Sequence, residues 1–490
     1  MSITADNSIQ YDAIVIGAGV VGPAISTALA RQGRKVLLIE RDWTQPDRIV
    51  GELMQPAGLK ALKSLGMIEA VNNIEAIHVD GYSIFYHGEQ LIIDYPEKSV
   101  SHKIQDVPCC ATNENSKIVS DSTLDAKYFE ENEREVGVAF RHGEFISNLR
   151  SIAKKQPNLT CLKGTVIKIE KNDLGHVTGV MVNETDRSKV VYNAHLTICC
   201  DGIFSKFRKT LGQSNVPTVG SHFISLTLEN AELPSPNHGH VVISNEAPIL
   251  IYQISPVETR ILCAYRSPKL PTVNDVKLKK YLNETVYNII PESIRPSYKN
   301  ALLNSRIRIM PNSYLVAKRN EIPGLFVMGD ALNMRHPLTG GGMTVGLNDA
   351  VLLAKLLSPD KIESFADHSK VLDQFMEFHH ERKSLDSVIN VLSIALYSLF
   401  SADSKYLVIL QKGCFHYLTK IPYPIALLSG LVPEPFMLFK HFFAVAFFSI
   451  MFNFRENGLV MFPVSIYEAI FTLYTAIVVF TPYMWQEIVS

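Results

Sequence analysis

The sequence predicts an α/β chain: a Rossmann-like nucleotide-binding domain first, an antiparallel sheet in the middle, and a helical, apolar C-terminal region. Three observations carry this. Residues 11 to 42, YDAIVIGAGVVGPAISTALARQGRKVLLIERD, run as an apolar strand, a glycine-rich turn, a helix and a second strand. HVVISNEAPILIYQISPVETRILCAY holds three apolar strands broken at Asn245-Glu246 and Pro256-Val257-Glu258, the pattern of an antiparallel meander. FFAVAFFSIMF (442 to 452) and AIFTLYTAIVVFTPYMW (469 to 485) carry no charge.

The first unit is the most specific. Ala13 to Ile16 reads as a buried parallel strand. Gly17-Ala18-Gly19-Val20-Val21-Gly22 then gives G-x-G-x-x-G. Gly17 permits the tight turn, Gly19 lets a pyrophosphate approach the backbone, and Gly22 lets helix and strand pack closely. The helix that follows offers its N-terminal N–H groups to the phosphates. Glu40 ends the second strand, placed to accept from a ribose 2′-OH, which favours FAD or NAD over NADP.

Composition bounds the rest. A length of 490 residues predicts two or three domains. Hydrophobic residues make up 47 %, and 47 Lys plus Arg balance 48 Asp plus Glu for a net charge of -1. No basic excess is present to attract nucleic acid. The seven cysteines form no CxxC pair and no zinc-like spacing, so reduced thiols in a cytosol-facing protein and no metal site are expected. The N-terminus lacks the basic and apolar regions of a signal peptide. His379-His380, within EFHHERK, reads as a solvated helix face.

Two later stretches decide between the nucleotides. LTICCDGIFSKFRK (196 to 209) reads strand, Asp201-Gly202, basic helix start. GLFVMGDALNMRHPLTGGGMTVG (324 to 346) places Gly329-Asp330, Pro337 and Gly340-Gly341-Gly342 between a strand and a helix starting near Met343. An N-terminal G-x-G-x-x-G, a central D-G and a late G-D with P-x-x-G-x-G together resemble the class A flavoprotein monooxygenases, the p-hydroxybenzoate hydroxylase fold. IERDWTQPDRIVGELMQP, GYSIFYHGEQ, CDGIFSKFRK, MPNSYLVA and GDALNMRHPLTGGGMTVGL resemble the squalene epoxidases (squalene monooxygenases), the fungal type most closely, from about residue 11 to the C-terminus.

The resemblance implies FAD held by Gly17, Gly19, Val20, Val21 and Gly22, with Glu40 and Arg41 closing the adenosine site. It implies further contacts from Arg48, Arg150, Val166, Asp330 and Met343. Gly340 to Gly342 are expected to lie against the isoalloxazine, so Gly341→Val should cost flavin binding before it costs the fold. Tyr82 and Gln55 match a pair near the flavin, the Gln carbonyl accepting from the Tyr O–H. The implied reaction uses reduced FAD and O₂ to convert squalene to (3S)-2,3-oxidosqualene in sterol (ergosterol) synthesis. No second nucleotide-binding motif is found for NADPH, so electrons are expected from NADPH–cytochrome P450 reductase. The implied location is the cytosolic face of the endoplasmic reticulum membrane, with lipid droplets as a second site. A flavin-dependent prenyl reductase and a non-catalytic prenyl-binding protein of the GDP-dissociation-inhibitor type are the alternative readings.

The expected FAD domain is discontinuous: 11-95, 136-215 and 306-360. Residues 97-135 read as a polar surface insertion and 216-305 as the substrate domain. Residues 361-490 read as helical, with membrane-attachment helices at about 436-485. The two uncharged runs are shorter than a comfortable span, so helices lying in the interface, or a shallow hairpin, are expected.

Overall fold

The computed structural model describes residues 11–489 apart from 102–107, 111–115, 122, 211–215, 245–246, 268 and 274. The expectations for the first ten residues, for part of 97-135 and for the break at Asn245-Glu246 lie outside the described residues.

Among the described residues, two large sheets, a small three-stranded one and a helical C-terminal region organise the chain. In the first sheet, Tyr11–Ile16 runs parallel between Val36–Glu40 and the end of Lys189–Cys199. Leu159–Lys171 flanks one side and Leu325–Val327 the other, both parallel to their neighbours. These strands are near-continuous apolar runs because helices cover them; Ala13, Ile14 and Val15 are fully buried. Gly17 leaves the first strand at φ +98°, and a Cβ there would sit 2.5 Å from the Cys200 carbonyl oxygen.

The second sheet has seven strands. His238–Ile243, Ile249–Gln253 and Glu258–Tyr265 form the expected meander, with Thr218–Glu229 beyond it. The sheet also takes in Arg308–Tyr314 on one edge and the hairpin Gly81–Tyr86/Glu89–Asp94 on the other. Those three strands fall in the segments 11-95 and 306-360, which the sequence reading gave to the nucleotide domain. Local pattern shows that they are strands but not which sheet they join.

The segment 97-135 is not simply polar and superficial. Cys109 and Leu124 are buried in the core of the first domain. Asp125 caps the short helix Ala126–Glu131 by accepting from Lys127 N–H.

The C-terminal region starts from the helix His368–Phe400, a spine buried along much of its length. His379 lies inside it at 5 % exposure, while His380 is exposed, so the solvated-face reading holds for one histidine only. The helices Pro435–Asn457 and Phe462–Val489 are longer than the uncharged runs within them. At 1.5 Å per residue each exceeds the ~30 Å of a bilayer core. Among the described residues, three helices could cross a membrane by length and composition, counting His368–Phe400. Phe436, Phe443, Phe447 and Met451 project from Pro435–Asn457, and Ile470, Tyr474, Ile477 and Val478 from the last helix. Lys412–Glu456 and Lys405–Glu468 ion pairs tie the far end of this hairpin to the helix Lys405–Leu418.

Candidate active site

Two helix N-termini meet at one cavity. The helix Val21–Arg31 has no side-chain cap and no acidic residue in its first turn, which leaves its leading N–H groups and partial positive charge for an anion. Gly22 must be glycine because a Cβ there would overlap the Gly17 carbonyl oxygen. Gly19 differs: a Cβ on it meets nothing within 4 Å, so its face is open. Glu40 accepts from Ala18 N–H at 2.7 Å, and Arg150 Nε donates to Ala18 O at 2.8 Å. Together they hold the loop from both sides.

The second helix, Gly341–Leu356, follows the turn Pro337–Thr339 and a left-handed Gly340 at φ +63°. Its partner contact with the first helix runs through Gly346 and Val21. The cavity between them has a volume of about 800 Å³ and is lined by Gly19, Val20, Val21, Arg48, Tyr82, Asp330, Gly340, Gly342 and Met343. That size lies within the usual range of about 300–1,000 Å³ for cofactor sites.

Of the residues predicted from sequence, Gly19, Val20, Val21, Arg48, Asp330, Met343 and Tyr82 thus share one cavity. Glu40 and Arg150 stand behind the phosphate loop. Arg41 is exposed beside Glu40. Val166 is buried in the first domain's core, so its side chain faces protein. Gly341 is a correction. It does not line the cavity: a Cβ there would overlap Ile389 Cγ2 on the spine helix, whereas Gly342 opens onto empty space. The close-approach glycine is Gly342, and Gly341 is fixed by helix packing.

Asp330 lines the cavity and is exposed within it. Desolvation pushes its carboxyl above the ordinary range, opposed by Arg335, Arg48 and Arg208. A hydroxyl-rich ligand chain in the cavity could donate to it. The Asp201 Oδ1 atom is buried without a partner, while its Oδ2 accepts from Lys206 N–H at 2.9 Å.

Gln55 and Tyr82 meet as expected, but with the amide reversed. Gln55 Nε2 donates to the Tyr82 hydroxyl at 2.5 Å and to Thr339 O at 2.8 Å. The Gln55 carbonyl accepts instead from Tyr95 O–H at 2.6 Å. Tyr95 went unnoticed in the sequence. It lies two residues past Ile93, the cross-strand partner of Tyr82, and so on the same sheet face, a signal the period of two could have supplied. Burial pushes the Tyr82 phenol up to about 12, against the pull of Gln55 and Tyr95. Also missed was Glu52, buried in the cavity wall and paired bidentately with Arg260 at 2.7 and 2.9 Å.

Beyond Tyr82 lies a second cavity of about 140 Å³, lined almost wholly by apolar side chains such as Ile84, Leu338, Leu399, Phe442 and Phe480. Tyr82 and Leu338 line both cavities.

This two-sheet architecture is that of the flavin-dependent monooxygenases. It is similar to p-nitrophenol 4-monooxygenase PnpA from Pseudomonas putida, with a TM-score of 0.66 at 15 % identity over 86 % of this chain and 98 % of that one. It is likewise similar to PqsL from Pseudomonas aeruginosa, described as a probable FAD-dependent monooxygenase, with a TM-score of 0.58 at 16 % identity over 86 % and 99 %. The squalene epoxidase family matches residues 193–467. Squalene epoxidase ERG1 of Saccharomyces cerevisiae is 53 % identical over 100 % of this chain and 98 % of its own length. Squalene monooxygenase of Mus musculus is 37 % identical over 97 % and 78 %. The chain belongs to the squalene epoxidase family. Neither alternative reading gains support from these relatives.

Proposed function

We propose that the chain is an FAD-dependent monooxygenase that converts squalene to (3S)-2,3-oxidosqualene in sterol synthesis. The observation that carries this is the shared wall: Tyr82 and Leu338 face on one side the larger, dinucleotide-sized cavity, where Arg48 and Asp330 stand, and on the other an apolar cavity. A water-soluble cofactor and a hydrocarbon can meet there.

The residues present fit FAD. The open faces at Gly19 and Gly342 admit pyrophosphate and ring to the backbone. Asp330 is placed to accept from ribityl hydroxyls, and the N-terminus of the helix Gly341–Leu356 favours negative charge at the reduced ring. Glu40, Arg41 and Arg150 close the adenosine end in this reading. Reduced FAD supplies the electrons that activate O₂, one atom going to the terminal alkene and the other to water. Around that chemistry the protein positions and dries the reactants. Tyr82, gripped through its oxygen by Gln55, keeps its own proton for donation and fixes the wall. The apolar cavity excludes water and aligns the alkene.

NADPH enters indirectly, through NADPH–cytochrome P450 reductase at the cytosolic face of the endoplasmic reticulum membrane, with lipid droplets as a second location. The exposed apolar stripes of the C-terminal hairpin support seating in lipid, where squalene partitions. The test is purified protein supplied with FAD, reductase, NADPH and squalene. O₂-dependent oxidosqualene is expected. A colourless protein without flavin, or a saturated product formed without O₂, would overturn the proposal.

A further inference from the structure

The turn before the cofactor helix is connected by hydrogen bonds to the end of the last helix. Arg335 lines the flavin cavity, with only 9 % of its surface exposed. Its Nη1 donates to the carbonyls of Gly341 and Gly342, both at 3.3 Å, and its Nη2 to the side chain of Asn333. Its Nε donates to Asn390 Oδ1 at 2.8 Å. Asn390, fully buried on the spine helix, donates through Nδ2 to Glu487 Oε1 at 3.0 Å and to Asn333 Oδ1 at 3.2 Å. Glu487 is 2 % exposed and stands near the end of the apolar helix Phe462–Val489. It also accepts from Tyr314 O–H at 3.1 Å and from Lys383 Nζ at 3.4 Å.

A carboxylate buried this deeply is costly unless every lone pair is used. The spine helix, the strand Arg308–Tyr314 and the turn holding Asn333 and Arg335 supply its partners and theirs, and none of these lies on the hairpin itself. With all three of its nitrogens hydrogen-bonded, the planar fork of Arg335 is fixed in place. The fork in turn grips the first two carbonyls of the cofactor helix.

We propose that Glu487 is a positioning residue for the flavin site. Through Asn390 and Arg335 it fixes the turn Gly340 to Met343, and so couples the seating of the last helix to cofactor affinity. This rests on the reading that the cavity holds FAD. The coupling is reciprocal: a bound cofactor holds the last helix down, and a seated helix tightens the cofactor.

The experiment titrates FAD into full-length apoprotein, following the quenching of flavin fluorescence. The variants are Glu487→Ala, Glu487→Gln, Asn390→Leu and the Glu487→Ala/Asn390→Leu double. Glu487→Ala and Asn390→Leu are each expected to raise the Kd for FAD about tenfold, within the usual span of such couplings. The double variant should be no worse than the weaker single, because both break one relay. Glu487→Gln retains a carbonyl for Asn390 and Tyr314 and should stay within about twofold of the unaltered protein. The visible flavin spectrum at saturation should shift in the variants that weaken binding and in no other. Single-site effects that multiply in the double variant, or a lowered melting temperature with an unchanged Kd, would overturn the relay. If Glu487→Ala does not fold, Asn390→Leu and Glu487→Gln decide the matter. An unaltered protein that fails to bind FAD overturns the cofactor reading and the relay with it, whereas tight binding in every protein overturns the relay alone.

Discussion

The chain builds two glycine turns at the mouth of one cavity, and they use their glycines differently. In Gly17-Ala18-Gly19-Val20-Val21-Gly22, two glycines face the protein: Gly17 against Cys200 and Gly22 against Gly17. Gly19 alone faces open space. In Gly340-Gly341-Gly342, Gly340 supplies the left-handed turn, Gly341 packs on Ile389, and Gly342 faces the cavity. Each turn thus offers a single close-approach glycine. The first is braced by its own strand–helix unit, the second by a helix about fifty residues further along the chain.

The largest effect should come from the brace of the first turn. Gly22→Ala drives a methyl into the Gly17 backbone, which cannot yield without breaking the strand–helix unit. A loss of about 4 kcal/mol or more is expected, read as failure to accumulate folded protein. Next is Gly341→Val, expected to cost about 1–3 kcal/mol by overpacking. Because the obstacle is a side chain, Ile389→Ala should restore part of the lost melting temperature. No rescue would show that Gly341 serves the ligand instead, and the comparison would break. Gly342→Val should leave melting of the apoprotein almost unchanged and weaken FAD about tenfold, ~1.4 kcal/mol. An unaffected FAD titration would remove Gly342 from the site. Tyr82→Phe should keep flavin bound and lower kcat several-fold, the value of one hydrogen bond of about 1 kcal/mol. Unchanged steady-state kinetics would take Tyr82 out of the mechanism.

A last effect separates the turns by pH. His336 precedes the second turn, and its Nδ1 accepts from Leu338 N–H at 3.2 Å. Burial lowers its pKa from 6.5 to about 3. The unfolded chain therefore binds the proton first as pH falls. Stability from the neutral ring is complete above pH 6.5 and is lost as pH falls from 6.5 toward about 3, with a slope up to ~1.4 kcal/mol per pH unit. Melting curves at pH 7 and pH 5 should show a smaller drop in His336→Gln than in the unaltered protein.

The first turn was legible in the sequence because its chemistry is local. Every residue that shapes it lies within one strand–turn–helix–strand unit, apart from Arg150 and Cys200. The second was legible as a motif but not in its division of labour, since nothing near Gly341 announces Ile389. The same limit hid the amide orientation of Gln55. Tyr82 was visible as a candidate partner, but Tyr95, which takes the carbonyl, arrives through strand pairing. The assignment of the hairpin Gly81–Tyr86/Glu89–Asp94 failed for that reason too. Alternating apolar residues define a strand, while its neighbour is chosen by residues far along the chain.

That hairpin has a consequence for how the chain is made. Its parallel partner, His238–Ile243, emerges roughly 160 residues later, on the order of 10 s or more at ~5–20 residues per second. During that interval Gly81–Tyr86 presents an unpaired edge with apolar side chains beneath it. The nascent protein must be shielded from its neighbours until the ribosome delivers the matching strand, so the wall that separates cofactor from hydrocarbon cannot form before about half of the chain has been made.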